Sequence, residues 1–370
     1  MNLPLLQSRS RVMMFAPHPD DESLAAGVFL QRAVAAGAAI RVVYGTDGEK
    51  NCWPQRVLER KVRIRARDRS RWGARRRAEA LAALRILNID SANVEFLSFP
   101  DQGVTDLLLD GCRATIHRLA EAIIDWQPTH LLVPSTSDTH PDHSALAVLL
   151  RIVFDNFLPP HHRISRLHYL IHGGSEAFAR VAWDLPQTPT ERKTKRRAIV
   201  CHVSQVALSR RRFLGYAKRP ERFVFGNGNL ALGDGPIRSF RHDGSELCLQ
   251  VAFALKPLRA EETSLYLVGE DAFGGLRRLR TTLPGRSTSI DLIDCATGAI
   301  AGVGRYQGDP FHAEIFLPMN SFASDRSVYL KLDRRVWFFD EAGWLEIGAA
   351  IPTAAGLRPH QLGAPELAVA

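Results

Sequence analysis

The feature that most limits how this chain can fold is an alternation, over its first half, of short apolar runs with longer Ala- and Leu-rich stretches. Residues 12–16 (VMMFA), 40–44, 94–99, 130–133 and 167–171 have the length and apolar content of buried strands. Residues 24–36, 74–87, 113–126 and 144–154 have the length and composition of helices. Gly37 stops the first helix and Pro128 the third, while Asn88 suits the left-handed position that ends the second. Strands alternating with helices predict an α/β, Rossmann-like fold with a mostly parallel sheet covered by helices on both faces. Such sheets place their chemistry in loops beyond the C-terminal ends of the strands.

The pattern changes near Phe225. A turn-rich segment, 229–236, reads as a linker, and residues 1–228 before it read as one domain. Beyond it, runs at 247–255, 264–268, 279–283, 289–293, 313–317, 328–332 and 336–339 alternate and are punctuated by Gly, Asp and Pro. They predict a smaller, all-β, sandwich-like domain over 237–352, followed by an Ala/Pro/Gly-rich tail at 353–370. Tyr266, Trp337 and Trp344 in this part suit either sugar stacking or packing of the β core, and packing is the plainer reading.

At 370 residues the chain exceeds one ordinary domain, in keeping with that division. No apolar run approaches the ~20 residues needed to span a bilayer. No signal peptide is recognisable at the N-terminus, so a cytoplasmic protein is expected. The five cysteines are scattered and form no CxxC pair, which argues against a disulfide framework or a cysteine zinc site. The net charge of +9 is concentrated in residues 56–77. That stretch is either a solvated surface or a seat for an anionic partner such as a phosphorylated substrate. No zinc finger, RNA-binding aromatic signature or basic zipper accompanies it, so no nucleic acid is expected. No GxGxxG or Walker loop indicates a nucleotide.

Two motifs fall at the strand ends where chemistry is expected. His18-Pro19-Asp20-Asp21-Glu22 follows the first strand, and His140-Pro141-Asp142-His143 follows the fourth. His18 and Asp21, three apart at a turn, are suitable ligands for zinc or a similar divalent ion. Asp20 between them is placed to take a proton from a water bound to that ion. One of His140 and His143 can complete a three-ligand site with an open position. The other can donate to an oxyanion or leaving amine, with Asp142 fixing its tautomer. The plainer reading makes both motifs helix caps. Ser204-Gln205 and His172 are further candidates for site groups, with backbone satisfaction and a satisfied loop histidine as the simpler accounts. His161 and His162 read as loop residues.

Over roughly residues 10–225 the chain resembles the PIG-L/LmbE-like deacetylases, among them N-acetylglucosaminyl-phosphatidylinositol deacetylase, mycothiol-metabolism enzymes and glycopeptide-antibiotic deacetylases. HPDDE and DTHPDH carry the resemblance. Weaker support comes from Thr46-Asp47-Gly48-Glu49, Arg76-x-x-Glu79, Phe99-Pro100-Asp101 and the run from Ala198 to Gln205. It implies that His18, Asp21 and His143 bind zinc, or another divalent metal such as Fe2+, and that Asp20 is the general base. His140 would stabilise the oxyanion or act as acid, supported by Asp142, and Arg76 and Asp101 would contact substrate. The implied activity is hydrolysis of an N-acyl, chiefly N-acetyl, group on an amino sugar or glycoconjugate that can itself be anionic. An amidase acting on a bulkier thiol-sugar conjugate or acylated natural product remains open, as does a carbohydrate-binding role for the β domain. Ala26-Gly27 and Leu87-Asn88 depart from the family's usual residues, away from the ligands.

Overall fold

The structure is a computed structural model that describes residues 6–158, 164–173, 176–226, 235–253, 263–336 and 338–348. Most of the linker expected at 229–236, the tail at 353–370, Trp337, His161 and His162 lie outside the described residues.

The first part runs β1 (Arg11–Ala16), α1 (Asp21–Ala35), β2 (Ala39–Thr46), α2 (Cys52–Glu59), α3 (Ala66–Ile86), β3 (Val94–Phe99), α4 (Val104–Asp110), α5 (Arg113–Trp126), β4 (His130–Pro134), α6 (Pro141–Phe157) and β5 (Ser165–Tyr169). It continues through α7 (Glu176–Val181), β6 (Trp183–Leu185), α8 (Pro189–Cys201), α9 (Val203–Tyr216) and β7 (Glu221–Phe225). The strands form one sheet in the order β3-β2-β1-β4-β5-β7-β6. The first five are parallel, and β7 pairs antiparallel with both β5 and β6. Alternate residues of β1 serve opposite faces, as a strand with both faces buried requires. Val12, Met14 and Ala16 pack with α1, α3 and α8, whereas Met13 and Phe15 pack with α4, α5 and α6. The α/β arrangement expected from the sequence is therefore the one observed. Among the described residues, no helix is long and apolar enough to cross a membrane.

Chain order reverses between β1 and β4. From β1 the chain winds outward through β2 and β3, then returns to add β4 and β5 on the other side. This leaves a crevice beyond the C-terminal ends of β1 and β4, where open α/β sheets bind their ligands. Both histidine motifs enter that crevice.

The second part is a nine-stranded antiparallel sheet plus a small hairpin. Its strands are β8 (Ile237–His242), β9 (Glu246–Ala252), β10 (Ser264–Glu270), β11 (Leu276–Thr282), β12 (Thr288–Asp294), β13 (Ile300–Gly308), β14 (His312–Pro318), β15 (Val328–Asp333) and β18 (Leu345–Ile347). They are ordered β18-β15-β10-β11-β12-β13-β14-β9-β8. The residues expected to form one strand at 336–339 instead contribute to the two-stranded hairpin β16 (Arg335–Val336) and β17 (Phe339–Asp340). Inward residues such as Leu249, Leu267, Ile315 and Leu330 form one apolar cluster. Val268, Tyr329 and Trp344 pack into the α5–α6 cluster of the first part, and Arg151 of α6 pairs with Glu346. The two parts thus share apolar contact. Trp344, a candidate for sugar stacking from its sequence, is 1% exposed within that contact.

Candidate active site

The HPDDE turn is bound to the neighbouring strand before α1 begins. Pro17 carbonyl accepts from the N–H of Thr46 at 2.9 Å and from its hydroxyl at 3.0 Å. Asp20 then starts α1, its carbonyl accepting from Ser23 and Leu24 at 3.1 and 3.0 Å. Its side chain makes no capping bond. Asp20 instead adopts φ 153°, a conformation that strains a non-glycine residue, and its Oδ1 lies 3.3 Å from Nη2 of Arg76. Capping therefore does not account for Asp20. Burial pushes its carboxyl up to about 6, against the opposing pull of Arg76.

Three ligand atoms converge. Nδ1 of His18 is 3.1 Å from Nε2 of His143 and 3.6 Å from Oδ2 of Asp21, and that oxygen is 3.3 Å from Nε2 of His143. The opposite ring nitrogens face carboxylates. Nε2 of His18 lies 3.3 Å from Asp101 and 3.2 Å from Asp142, and Nδ1 of His143 lies 3.1 Å from Asp138. A carboxylate oxygen accepts, so those nitrogens carry the protons in the neutral rings. The two nitrogens 3.1 Å apart then both present bare lone pairs beside a carboxylate. Such an arrangement is repulsive unless a cation sits between them. Donor atoms about 3.3 Å apart are also the edges of a tetrahedron around an ion with ~2.0–2.1 Å bonds. The donor set fits zinc or a similar divalent ion.

The electrostatics agree with a place built for positive charge. Burial opposes protonation of His18, but Asp101, Asp142 and Asp21 outweigh it and hold the ring well above its ordinary value. Burial likewise opposes protonation of His143, which Asp21 and Asp138 nevertheless push up to about 9. Asp21 stays well below the usual carboxylate range, because the two imidazoles overcome the cost of its burial.

His140 is the N-cap of α6, and its Nδ1 accepts from the N–H of Asp142 at 3.2 Å. Nε2 of the neutral ring therefore carries the proton and is a donor. Burial, together with His18, His143 and His172, holds its pKa well below the ordinary value, so the ring is neutral. The expected support of the His140 ring by Asp142 is not what the structure places. Asp142 Oδ2 meets His18 and the N–H of Gln102, and Oδ1 accepts from Val104, so the carboxylate orients His18.

Arg76 and Asp101, taken from the resemblance as substrate contacts, are each 3% exposed. Arg76 donates to the carbonyls of Gly48 and Pro19, both at 3.0 Å, in addition to its pairing with Asp20. Gly48 sits at φ +65°, and a Cβ there would fall 1.7 Å from Nη1 of Arg76, so the arginine needs that glycine. Asp101 accepts from Lys50 N–H at 2.6 Å while facing His18. Arg76 thus faces Asp20, and Asp101 faces His18, from within the protein.

One group escapes the sequence reading. Asp138 accepts from His143, from the N–H of His140 and from those of Ile171 and His172. The carboxylate five residues before His143 in DTHPDH is the available signal. His172 reads from its sequence either as a group facing the cleft or, more simply, as a satisfied loop histidine. Its ring lies 4.9 Å from His143 and 5.4 Å from His140, its Nδ1 has no partner, and burial lowers its pKa to about 4. Farther back, Glu22 pairs with His202 at 2.8 Å. Ser204 and Gln205 satisfy neighbours, Ser204 N–H meeting Glu79 and Gln205 accepting from Asn51.

Much of the basic 56–77 stretch is committed internally. Lys61 and Arg71 pair with Asp68, Arg75 with Glu79, Arg76 with Asp20, and Arg77 with Asp47. A second concentration of cations lies on α9 and just after it, where Arg210, Arg211, Arg212, Lys218 and Arg219 line a shallow groove of about 830 Å3. Tyr216 in that groove donates to the carbonyl of Ile171, beside His172.

Residues 13–154 match the sequence profile of the family described as PIG-L: GlcNAc-PI de-N-acetylase. Over 147 residues the chain is 31% identical to a 1D-myo-inositol 2-acetamido-2-deoxy-alpha-D-glucopyranoside deacetylase of Mycobacterium sp. (strain KMS). That match covers 36% of this chain and 46% of the relative, so it spans about half of the relative's length. Among solved structures, N,N'-diacetylchitobiose deacetylase from Pyrococcus horikoshii is 20% identical, with a TM-score of 0.46 over 59% of this chain and 84% of that one. A conserved protein from Thermus thermophilus, TT1542, is 21% identical, with a TM-score of 0.44 over 58% and 93%.

Proposed function

Starting from residues 13–154 as a PIG-L-family segment, we propose that this chain is a metal-dependent amide hydrolase that removes an N-acetyl group from an amino sugar or glycoconjugate. The observation that carries the reading is the convergence of Nδ1 of His18 and Nε2 of His143, 3.1 Å apart, with the Asp21 carboxylate beside them. His18, Asp21 and His143 would hold a divalent ion, zinc being the first choice. When bound, such an ion lowers the pKa of a water towards ~7 and polarises a carbonyl.

The chain's own groups supply the rest. Asp20, with its carboxyl raised to about 6, accepts the proton of the attacking water. Arg76 holds that carboxylate in place. His140 donates its Nε2–H as a hydrogen bond to the developing oxyanion, and the proton taken up by Asp20 passes to the departing amine. Asp142, Asp101 and Asp138 fix the rings of His18 and His143. We read residues 1–228 as the catalytic domain and 237–352 as an accessory domain, in a cytoplasmic protein. An acidic substrate, for example a sugar phosphate, finds support in the cations that line the α9 groove, where Tyr216 reaches the carbonyl beside His172.

The test is metal content and turnover of N-acetylglucosamine-containing substrates, wild type against Asp20→Asn. About one metal per chain, kept in the variant while turnover falls by about 10²–10⁴-fold, is the expected result. Protein that takes up no zinc when offered it would remove the reading.

A further inference from the structure

The hairpin of β16 and β17, with the turn that follows, lies along the loop that carries His140. Asp340 N–H donates to the carbonyl of Thr139 at 2.8 Å, and Trp344 N–H to that of Thr136 at 2.7 Å. The approach is so close at Gly343 that a Cβ would fall 2.1 Å from the Thr136 carbonyl oxygen. The segment is also tied from its own side, because Asp340 pairs with the buried Lys331 of β15 and Arg334 with Glu341. Between these ties stands Phe339. Its ring centroid is 5.8 Å from that of His140, edge to face at 77°, and 5.1 Å from that of His172. The Arg212 guanidinium lies 5.9 Å from the same ring. Phe339 is half-buried.

We propose that Phe339 is a substrate-contacting wall of the cleft, through which the C-terminal β part completes the active site. This rests on the hydrolase reading above. An aromatic ring beside the proposed oxyanion donor, His140, lies where the amine-bearing part of the substrate must pass. It covers the C–H face of a pyranose ring while the amide is held at His18, Asp21 and His143. That contact is made equally before and during bond breaking, so its loss raises KM and leaves kcat nearly unchanged. The residue lies outside the matched segment 13–154, so the wall belongs to this chain's own second part.

The experiment uses the full chain, with metal content measured, as wild type, Phe339→Ala and Phe339→Leu. Turnover of N,N'-diacetylchitobiose is followed, together with calorimetric binding of glucosamine to the same proteins. Phe339→Ala is expected to raise KM and weaken glucosamine binding by about ten-fold, with kcat changed by less than about three-fold, and Phe339→Leu to recover part of the loss. Should the alanine variant fail to fold, the leucine variant carries the comparison, with a KM increase of about three-fold expected. Active wild type with unchanged KM in both variants would overturn the wall and spare the hydrolase reading. So would a fall in kcat alone, which would make the ring a mere support for His140. Wild type that neither turns over nor binds these sugars would remove both.

Discussion

Oδ2 of Asp142 lies 3.2 Å from Nε2 of His18, across a sequence separation of 124 residues. The second motif therefore acts on the first: His143 meets His18 and Asp21, and Asp142 sets the His18 ring. Asp142→Asn is expected to weaken zinc affinity by about 10–100-fold, the usual cost of losing an outer-shell carboxylate. Competition titration against a metal buffer measures it. Unchanged affinity with a lowered kcat would return Asp142 to the role of a His140 support.

Gly48→Ala is expected to damage activity more than stability. The positive φ alone costs about 1–2 kcal/mol. The added methyl also displaces the Arg76 guanidinium, which holds Asp20 and the carbonyls of Gly48 and Pro19. A thermal melt and a kcat measurement on one preparation separate the two effects. A variant of wild-type kcat would show that Arg76 does not have to sit where it does.

Lys195 and Glu221 form a fully buried ion pair at 2.7 Å, and Glu221 also accepts the N–H groups of Val28 and Phe29. Glu221→Gln leaves the Lys195 ammonium buried without its counter-charge. The expected loss is about 3–5 kcal/mol of stability, read by chemical denaturation. The paired replacement Lys195→Met with Glu221→Gln is expected to cost less than Glu221→Gln alone. The reverse order would show that the pair's charge is not what matters.

Charge reversal distinguishes the two basic regions. Arg210→Glu with Arg211→Glu is expected to raise KM for a phosphorylated N-acetyl sugar by about ten-fold or more while leaving a neutral analogue unaffected. Reversals at Arg63 and Arg67 are expected to change neither. The acidic-substrate reading loses its support if both sets behave alike.

How much of the fold is legible in the sequence depends on whether burial leaves a periodic mark. The parallel strands are legible because burial on both faces makes them continuous apolar runs, and β3 and α5 end where the sequence places them. Helix α3 begins at Ala66 rather than at residue 74, because its first turns bury only Asp68, Trp72 and Gly73 and show no apolar stripe. Strand β13 escapes the sequence reading for a similar reason. Only Gly304 and Tyr306 are buried along its nine residues, so it shows no apolar alternation.

The site divides in the same way. The convergence of His18, Asp21 and His143 is legible because the two motifs fall at adjacent strand ends. The functions of Asp142, Arg76 and Asp101 are not, since each acts on a residue from another motif. Phe339 has no signal at all, because its neighbours His140 and His172 lie far away in sequence.

The ties from Asp340 and Trp344 to the loop at 136–139 also bear on how the protein is made. These residues leave the ribosome about 200 positions after that loop, a delay of roughly 10–40 s at ordinary rates of synthesis. Through that interval the loop bearing His140 lacks its clamp, and contacts of such long sequence range form late and slowly. Clamping of that loop therefore waits for residues 339–344, and a ribosome stalled before residue 339 would hold a folded sheet with the loop at 136–139 still untied.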